Sequence, residues 1–431
     1  MNPNPHILFI SSANPLKGPG RIGLNMYQQL QNAGLDVDMM TIYPVEKYPD
    51  IIYVKKNAKR TIWERVKNKI KKVFGRTLPG DPYCFFYKKE TNPPIPTPII
   101  LNKIKKKYDW VIIYFWQGLL SFQTVEAIYD KFGGPVVFFV PPDYSHMSGG
   151  CHFPGDCKGY QTGCGCCPAI HSKNKKDFTN WNVQYRKNFY EKVKPVVFGN
   201  SYMHTFYEKS YLLRGGRTIK SVPQINSVTF YPLDKRETRM KYGIPDSVNF
   251  VVSFGSQSLT DPRKGMEYLI EALNLWSQSL TESEKNKIML VTIGKNFEKI
   301  QSRLPFQILN LGYIPIEQLS EFYSLADIFV CPSINDPGPS MVSQSIACGT
   351  PVVGFEMGAL LDLVKDRDTG CCVRLKDVSE LANGIDKYFR MTDEQRIKAS
   401  GRCREFALEC TPDKRLKQWI EQYEKYSVQR S

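Results

Sequence analysis

Long apolar runs are missing from this 431-residue chain. A membrane-spanning helix needs about 20 consecutive apolar residues. The richest stretches here, Trp110 to Trp116 and Val136 to Pro141, are strand-sized. The opening, Met1 to Pro15, has no basic segment ahead of its apolar residues and reads directly into a strand, so no secretory signal is expected and a cytoplasmic location is. Acid is in short supply, with 42 Asp and Glu against 58 Lys and Arg, a formal charge of +16. Twelve cysteines in so long a chain make a poor disulfide framework. Apolar bulk is ample: 24 Phe, 24 Tyr and 6 Trp supply enough buried surface to offset the conformational entropy of folding, which excludes disorder. The length suits two domains.

The strand His6 to Ser12 leads through a Gly-rich loop into a helix beginning near Gly20, and a second strand follows at Val37 to Tyr43. Further strands are expected at Trp110 to Tyr114, Pro135 to Val140 and Pro195 to Gly199. A new series opens at Asn249 to Gly255 and continues at Ile288 to Gly294, Ile328 to Cys331 and Pro351 to Phe355, separated by helical patterns. The fold class is therefore α/β, with two doubly wound Rossmann-like domains. Their expected spans are 1–220 and 221–410, the first carrying a basic insert at 54–107 and a Cys-rich segment at 149–168. The helix after Thr411, with Leu416, Trp419, Ile420 and Tyr423 on one face, is expected to pack back on the first domain over 411–431.

The charge is concentrated. Between Lys55 and Arg76 stand ten basic residues and one acid, Glu64. Within that run Ile62, Trp63, Val66, Ile70, Val73 and Phe74 recur at helical spacing, giving an apolar face ringed by cations. Such a helix suits the interface of an anionic bilayer. The alternative is an apolar face packed on the sheet beneath solvated lysines.

Gly18-Pro19-Gly20-Arg21-Ile22-Gly23 places a G-x-G-x-x-G pattern between a strand and a helix, where backbone amides can approach phosphate. The second strand ends in Ile42-Tyr43-Pro44 without an acid to hold ribose, which weakens a dinucleotide reading. In the second series, Ser256 to Gly265 follows a strand and brings Arg263 and Lys264 to its carboxyl end. The loop Pro332 to Ser340 then enters a short helix, Met341 to Cys348, and offers a second phosphate-ready helix start.

Arg263-Lys264-Gly265, Leu311-Gly312-Tyr313, Ala326 to Ser333, Ala347-Cys348-Gly349-Thr350-Pro351-Val352-Val353 and Asp368-Thr369-Gly370 together resemble the C-terminal half of family 4 glycosyltransferases. Asp143, Gly149-Gly150-Cys151-His152 and Cys164-Gly165-x-Cys167-Pro168 resemble a bacterial exopolysaccharide and lipopolysaccharide branch of that family. The resemblance implies a GT-B enzyme that uses a nucleotide sugar, retains anomeric configuration and needs no catalytic metal. It implies catalytic roles for Asp143, Lys264 and Asp336, and donor contacts from Gly20, Ser256, Arg263, Lys264, Gly312, Tyr313, Pro339, Ser340, Met341 and Gln344. Three departures stand out: Gln344 where the family has a ribose-binding glutamate, Pro142 where it has a histidine, and Ser258 where it often has an arginine.

Cys151, Cys157, Cys164 and Cys167 stand as C-x5-C-x6-C-x2-C in a Gly-rich segment, with Cys166 and His152 as alternates. Four thiolates suit a structural tetrahedral Zn²⁺, and the last pair has zinc-ligand spacing. The spacing does not match ferredoxin iron–sulfur runs, and the alternatives are a set of reduced thiols or a disulfide made in oxidising conditions. The isolated Cys84, Cys331, Cys348, Cys403 and Cys410 read as small core residues. Three functions compete: a glycosyltransferase acting on a lipid-linked oligosaccharide at the inner face of the cytoplasmic membrane, held there by 55–76; a GT-B scaffold that binds a donor without turnover; and a zinc-containing nucleic-acid binder. No nucleic-acid module is visible, so a nucleic-acid partner is not expected.

Overall fold

The computed structural model describes residues 5–45, 48, 51–55, 85, 89–365 and 367–427. Most of the basic run lies outside them, as does Cys84. The chain divides into two compact units, one comprising Met1–Gly199, His204–Lys220 and Trp419–Ser431, the other Asn200–Met203 and Ser221–Gln418.

Unit 1 holds a parallel sheet of seven strands, β1 (His6–Ser11), β2 (Asp36–Thr41), β3 (Ile52–Tyr53), β4 (Trp110–Phe115), β5 (Val136–Phe139), β6 (Val196–Gly199) and β7 (Thr218–Lys220). They lie in the order β3-β2-β1-β4-β5-β6-β7. Residues Trp110, Val111, Ile112 and Ile113 of β4 are all buried, as both faces of a parallel sheet require once helices cover them. Phe122 stacks on Phe139 at 5.5 Å between ring centres, and Phe189 meets Phe122 edge-on at 5.0 Å. The helix Pro412–Ser427 supplies Trp419 and Tyr423 to this unit. Tyr423 lies 4.8 Å from Trp110 and Trp419 lies 6.2 Å from Phe198, centre to centre.

Unit 2 holds a second parallel sheet, β8 (Phe250–Ser258), β9 (Ile288–Lys295), β10 (Gln307–Asn310), β11 (Ile328–Cys331), β12 (Val352–Phe355) and β13 (Gly370–Val373), in the order β10-β9-β8-β11-β12-β13. Alternation along the strands divides its apolar residues between two cores. Phe250, Val252, Phe254, Ile328 and Val330 join Leu269, Leu273 and Trp276 on one face. Val251, Val291 and Phe329 join Val342, Ile346 and Cys403 on the other. Cys331, Cys348, Cys403 and Cys410 are buried small residues of this unit. Asp327 fastens the helix Lys235–Lys241 to the sheet: Lys235 and Arg239 reach its carboxylate at 2.9 and 2.6 Å, and the Val251 N–H donates to it at 2.7 Å.

In each sheet the strand order reverses beside the first strand, between β1 and β4 in unit 1 and between β8 and β11 in unit 2. The loops leaving two neighbouring strands there diverge to opposite faces, so their carboxyl ends leave room for a ligand.

Candidate functional site

In unit 2 the loops leaving β8 and β11 meet at that reversal. The β8 loop turns through a short 3-10 segment, Pro262–Lys264, started by Asp261, whose carboxylate accepts the Arg263 N–H at 3.0 Å. Gly265 follows with φ +66°, and a Cβ there would fall 1.9 Å from the Pro332 carbonyl oxygen, so only glycine lets the loops approach. The Ile334 and Asn335 N–H groups donate to the Arg263 carbonyl at 2.8 and 3.2 Å and stitch the two loops together. Lys264 and Asp336, 72 residues apart in sequence, form an ion pair between them. The second Asp336 oxygen accepts the Gly338 N–H at 3.1 Å. Arg263 is paired instead with Asp261 at 2.6 Å.

The helix Ser340–Ala347 begins at Pro339, and no side chain caps its N-terminus. Its first-turn amides, including those of Ser340 and Met341, are thus suited to an anion beside Lys264. Ser256 donates through Oγ to the Ser258 carbonyl at 2.7 Å, at the carboxyl end of β8 where the loop leaves it. Gly312, at φ +63°, accepts the Gly294 N–H at 2.8 Å through its carbonyl, while the neighbouring Tyr313 is 76% exposed. The structure qualifies two of the departures. Gln344 already accepts the buried Tyr323 hydroxyl at 2.8 Å through Oε1, leaving the other lone pair and the NH₂ for a ligand. Ser258 accepts from Asn296 Nδ2 at 2.9 Å, within a small polar cluster that also takes in Thr260.

Unit 1 carries Gly20 and Asp143. Gly20 lies in the first turn of the helix Gly18–Asn32, which also has no side-chain cap, and a Cβ there would meet the Asn14 carbonyl oxygen at 2.0 Å. Asp143 follows β5. Its Oδ1 accepts the Ser145 N–H at 2.8 Å, and its Oδ2 lies 2.6 Å from His152 Nδ1. Burial alone would raise this carboxyl. The His152 imidazole and the Ser145 N–H more than offset that and hold it below the usual carboxylate range. Pro142 stands where the resemblance implies an imidazole, and the fold brings another, His152, from nine residues beyond Asp143 onto its carboxylate, a contact that linear motif matching does not reveal.

Cys151, Cys157, Cys164 and Cys167 share one region of unit 1. The Gly159 N–H donates to Cys157 Sγ at 3.4 Å, and Asp177 accepts the Cys167 N–H at 3.0 Å. Burial pushes the Cys164 thiol up to about 12, and the neighbouring Cys157 and Cys167 thiols push it the same way. As placed, these side chains do not form a metal site: among the described residues no three His, Cys, Asp or Glu side chains are gathered so as to hold an ion. Among the described residues, too, no helix is long and apolar enough to cross a membrane.

Residues 234–405 match the family model described as glycosyl transferases group 1. An uncharacterised glycosyltransferase of Methanocaldococcus jannaschii is 26% identical over 159 residues, a match covering 36% of this chain and 39% of that protein. The chain thus spans about two fifths of the length of this curated relative. Among solved structures, sucrose-phosphate synthase of Thermosynechococcus elongatus superimposes with a TM-score of 0.68 at 19% identity, covering 99% of this chain and 100% of its own. Anabaena HepE in complex with UDP-glucose gives 0.61 at 15% identity, covering 98% and 100%. The chain has the GT-B fold of two Rossmann-like domains, and its second unit carries the match to group 1 glycosyl transferases.

Proposed function

We propose that this chain transfers a sugar from a nucleotide-sugar donor to a saccharide acceptor, with retention of anomeric configuration. The observation that carries the reading is Lys264, held by Asp336 beside the uncapped start of the Ser340–Ala347 helix at the strand-order reversal of unit 2. The leaving nucleoside diphosphate is the anion such a site stabilises. The family match spans these residues, and a GT-B neighbour is solved with UDP-glucose. The test is thermal melting with a panel of UDP-, GDP- and dTDP-sugars, followed by release of the nucleoside diphosphate. One donor should stabilise saturably, by about 2.7 kcal/mol at a hundredfold excess over Kd. No stabilisation by any member would overturn the reading. Stabilisation without release would select the second reading, a donor-binding scaffold, which Gln344 tied to Tyr323 and Ser258 tied to Asn296 favour.

The acceptor is proposed to be lipid-linked, in bacterial surface polysaccharide synthesis at the inner face of the cytoplasmic membrane, with the run 55–76 as the membrane contact. The support is the sequence of that run: cations attracted to anionic lipid by about 1 kcal/mol each, around an apolar face carrying Trp63 and Phe74. Binding to anionic vesicles should rise with anionic lipid fraction and fall with salt. Replacing Lys67, Lys69, Lys71 and Lys72 by Glu should abolish it and leave donor stabilisation intact. Sedimentation of that variant with the vesicles would refute the contact.

Cys151, Cys157, Cys164 and Cys167 are proposed to close on one structural Zn²⁺, which would replace their thiol protons. Protein purified under reducing conditions should carry about one equivalent of zinc, and Cys164→Ser should lower both metal content and melting temperature. Metal analysis without zinc would leave them as reduced thiols.

A further inference from the structure

The loop that carries Asp336 is the middle one of three. β11 lies between β8 and β12, and all three strands are parallel, so their loops leave the same end of the sheet side by side. From Ile334 to Pro339 that middle loop has four backbone N–H groups, because Pro337 and Pro339 have none. Ile334 and Asn335 give theirs to the Arg263 carbonyl on the β8 side, and Gly338 gives its own to the Asp336 carboxylate within the loop. Asp336 alone of the four turns to the β12 side, where its N–H donates to Met357 Sδ at 3.2 Å. The loop passes from one neighbour to the other at this residue.

Met357 lies just beyond β12, outside the motifs read from the sequence, and is wholly buried in the core that also holds Phe254, Val330 and Phe355. The next residue completes the grip. A Cβ on Gly358, at φ +56°, would fall 2.2 Å from the Asp336 carbonyl oxygen and 2.9 Å from that of Pro337, so the β12 loop lies directly against the Asp336–Pro337 peptide. The backbone of Asp336 is thus held from the β12 side, while its carboxylate reaches back to Lys264 on the β8 side. A thioether is a weak acceptor, and an apolar side chain of the same size would leave the Asp336 N–H without even that partner, at the cost of an unmade hydrogen bond. The ion pair at the donor site therefore depends on a sulfur that meets neither the lysine nor the ligand.

We propose that Met357 is a positioning residue of the donor site: its sulfur fixes the backbone of Asp336, so that the carboxylate holds Lys264 beside the start of the Ser340–Ala347 helix. The proposal rests on the glycosyl-transfer reading. Met357→Leu keeps the volume and removes the acceptor, whereas Met357→Gln keeps an acceptor atom at similar reach. In the full chain carrying isotope-labelled aspartate, the Asp336 amide, assigned by its loss in Asp336→Asn, should exchange with deuterium roughly tenfold faster in Met357→Leu than in the wild type. Release of nucleoside diphosphate from UDP-glucose, or from whichever panel donor stabilises the chain, supplies the second arm. Met357→Leu should lower kcat roughly tenfold, with a smaller change in donor KM, because a small misplacement of a group that acts on the leaving diphosphate is enough for that. Met357→Gln should recover most of the loss. In a Lys264→Ala background Met357→Leu should lower kcat no further, since it acts through that lysine. Unchanged exchange, an unchanged kcat, or a folded Met357→Gln as slow as Met357→Leu would overturn the proposal. So would a loss as large in the Lys264→Ala background as in the wild type, because a packing defect acts in both. Wild-type protein that releases no nucleoside diphosphate would count against the glycosyl-transfer reading itself, while the exchange arm still decides the anchor, so the two failures are told apart.

Discussion

Lys264→Ala is expected to reduce donor turnover by roughly a hundredfold, corresponding to about 3 kcal/mol of lost charge stabilisation at the leaving diphosphate. Two effects add. The variant removes the cation that faces the diphosphate, and it strands the Asp336 carboxylate that Lys264 neutralises in the structure. That carboxylate keeps its bond from the Gly338 N–H, so it stays in place and repels an anion beside the helix start. The double variant Lys264→Ala with Asp336→Asn is therefore expected to bind the donor more tightly than Lys264→Ala alone, a non-additivity that loss of a cation by itself would not produce. The measurement is kcat/KM for the donor in each variant with melting curves as control. A rate unchanged in Lys264→Ala would place the diphosphate elsewhere.

Legibility followed burial. The central strands β1, β4, β8 and β11 are nearly continuous apolar runs because helices cover both faces, and their expected positions match the observed ones to within about three residues. The edge strands β3, β7, β10 and β13 were not expected. Ile52–Tyr53 has only two residues, and Gln307–Asn310 alternates little and is half exposed, so neither carries a period the sequence can show. In the candidate site, the cations at the end of β8 and the loop after β11 were readable because strand, loop and helix follow one another locally. What joins them was not. The 72-residue separation of Lys264 from Asp336 is closed by sheet order, and the Gln344 oxygen is taken by a tyrosine 21 residues earlier. The same holds for Asp143 and His152, whose contact depends on how the intervening Gly-rich loop folds back.

The support behind that loop should be the more sensitive point for stability. Arg186 is fully buried, donating from Nε and Nη2 to Glu90 Oε1 at 2.8 and 2.6 Å, while its guanidinium lies 4.6 Å over the Phe122 ring. The other Glu90 oxygen accepts the Phe122 N–H at 2.8 Å. Arg186→Met keeps most of the side-chain volume but leaves Glu90 charged and unpaired in the interior, which costs about 3–5 kcal/mol. It also releases the Ser145 and Ser148 carbonyls that hold the Asp143 and His152 loop. For a unit of this size, where 1 kcal/mol moves the midpoint by roughly 2–4 °C, the expected fall in Tm is on the order of 10 °C. Glu90→Gln introduced beside Arg186→Met should restore part of it, because the stranded charge is then gone. Since both residues belong to unit 1, the stabilisation that a donor confers through unit 2 should persist in the variant at temperatures below its first transition. Calorimetric scans of the wild type, both single variants and the double variant would measure the coupling. A double variant no more stable than Arg186→Met alone would show that the buried charge is not what the arginine offsets, and would leave the released loop carbonyls as the source of the loss.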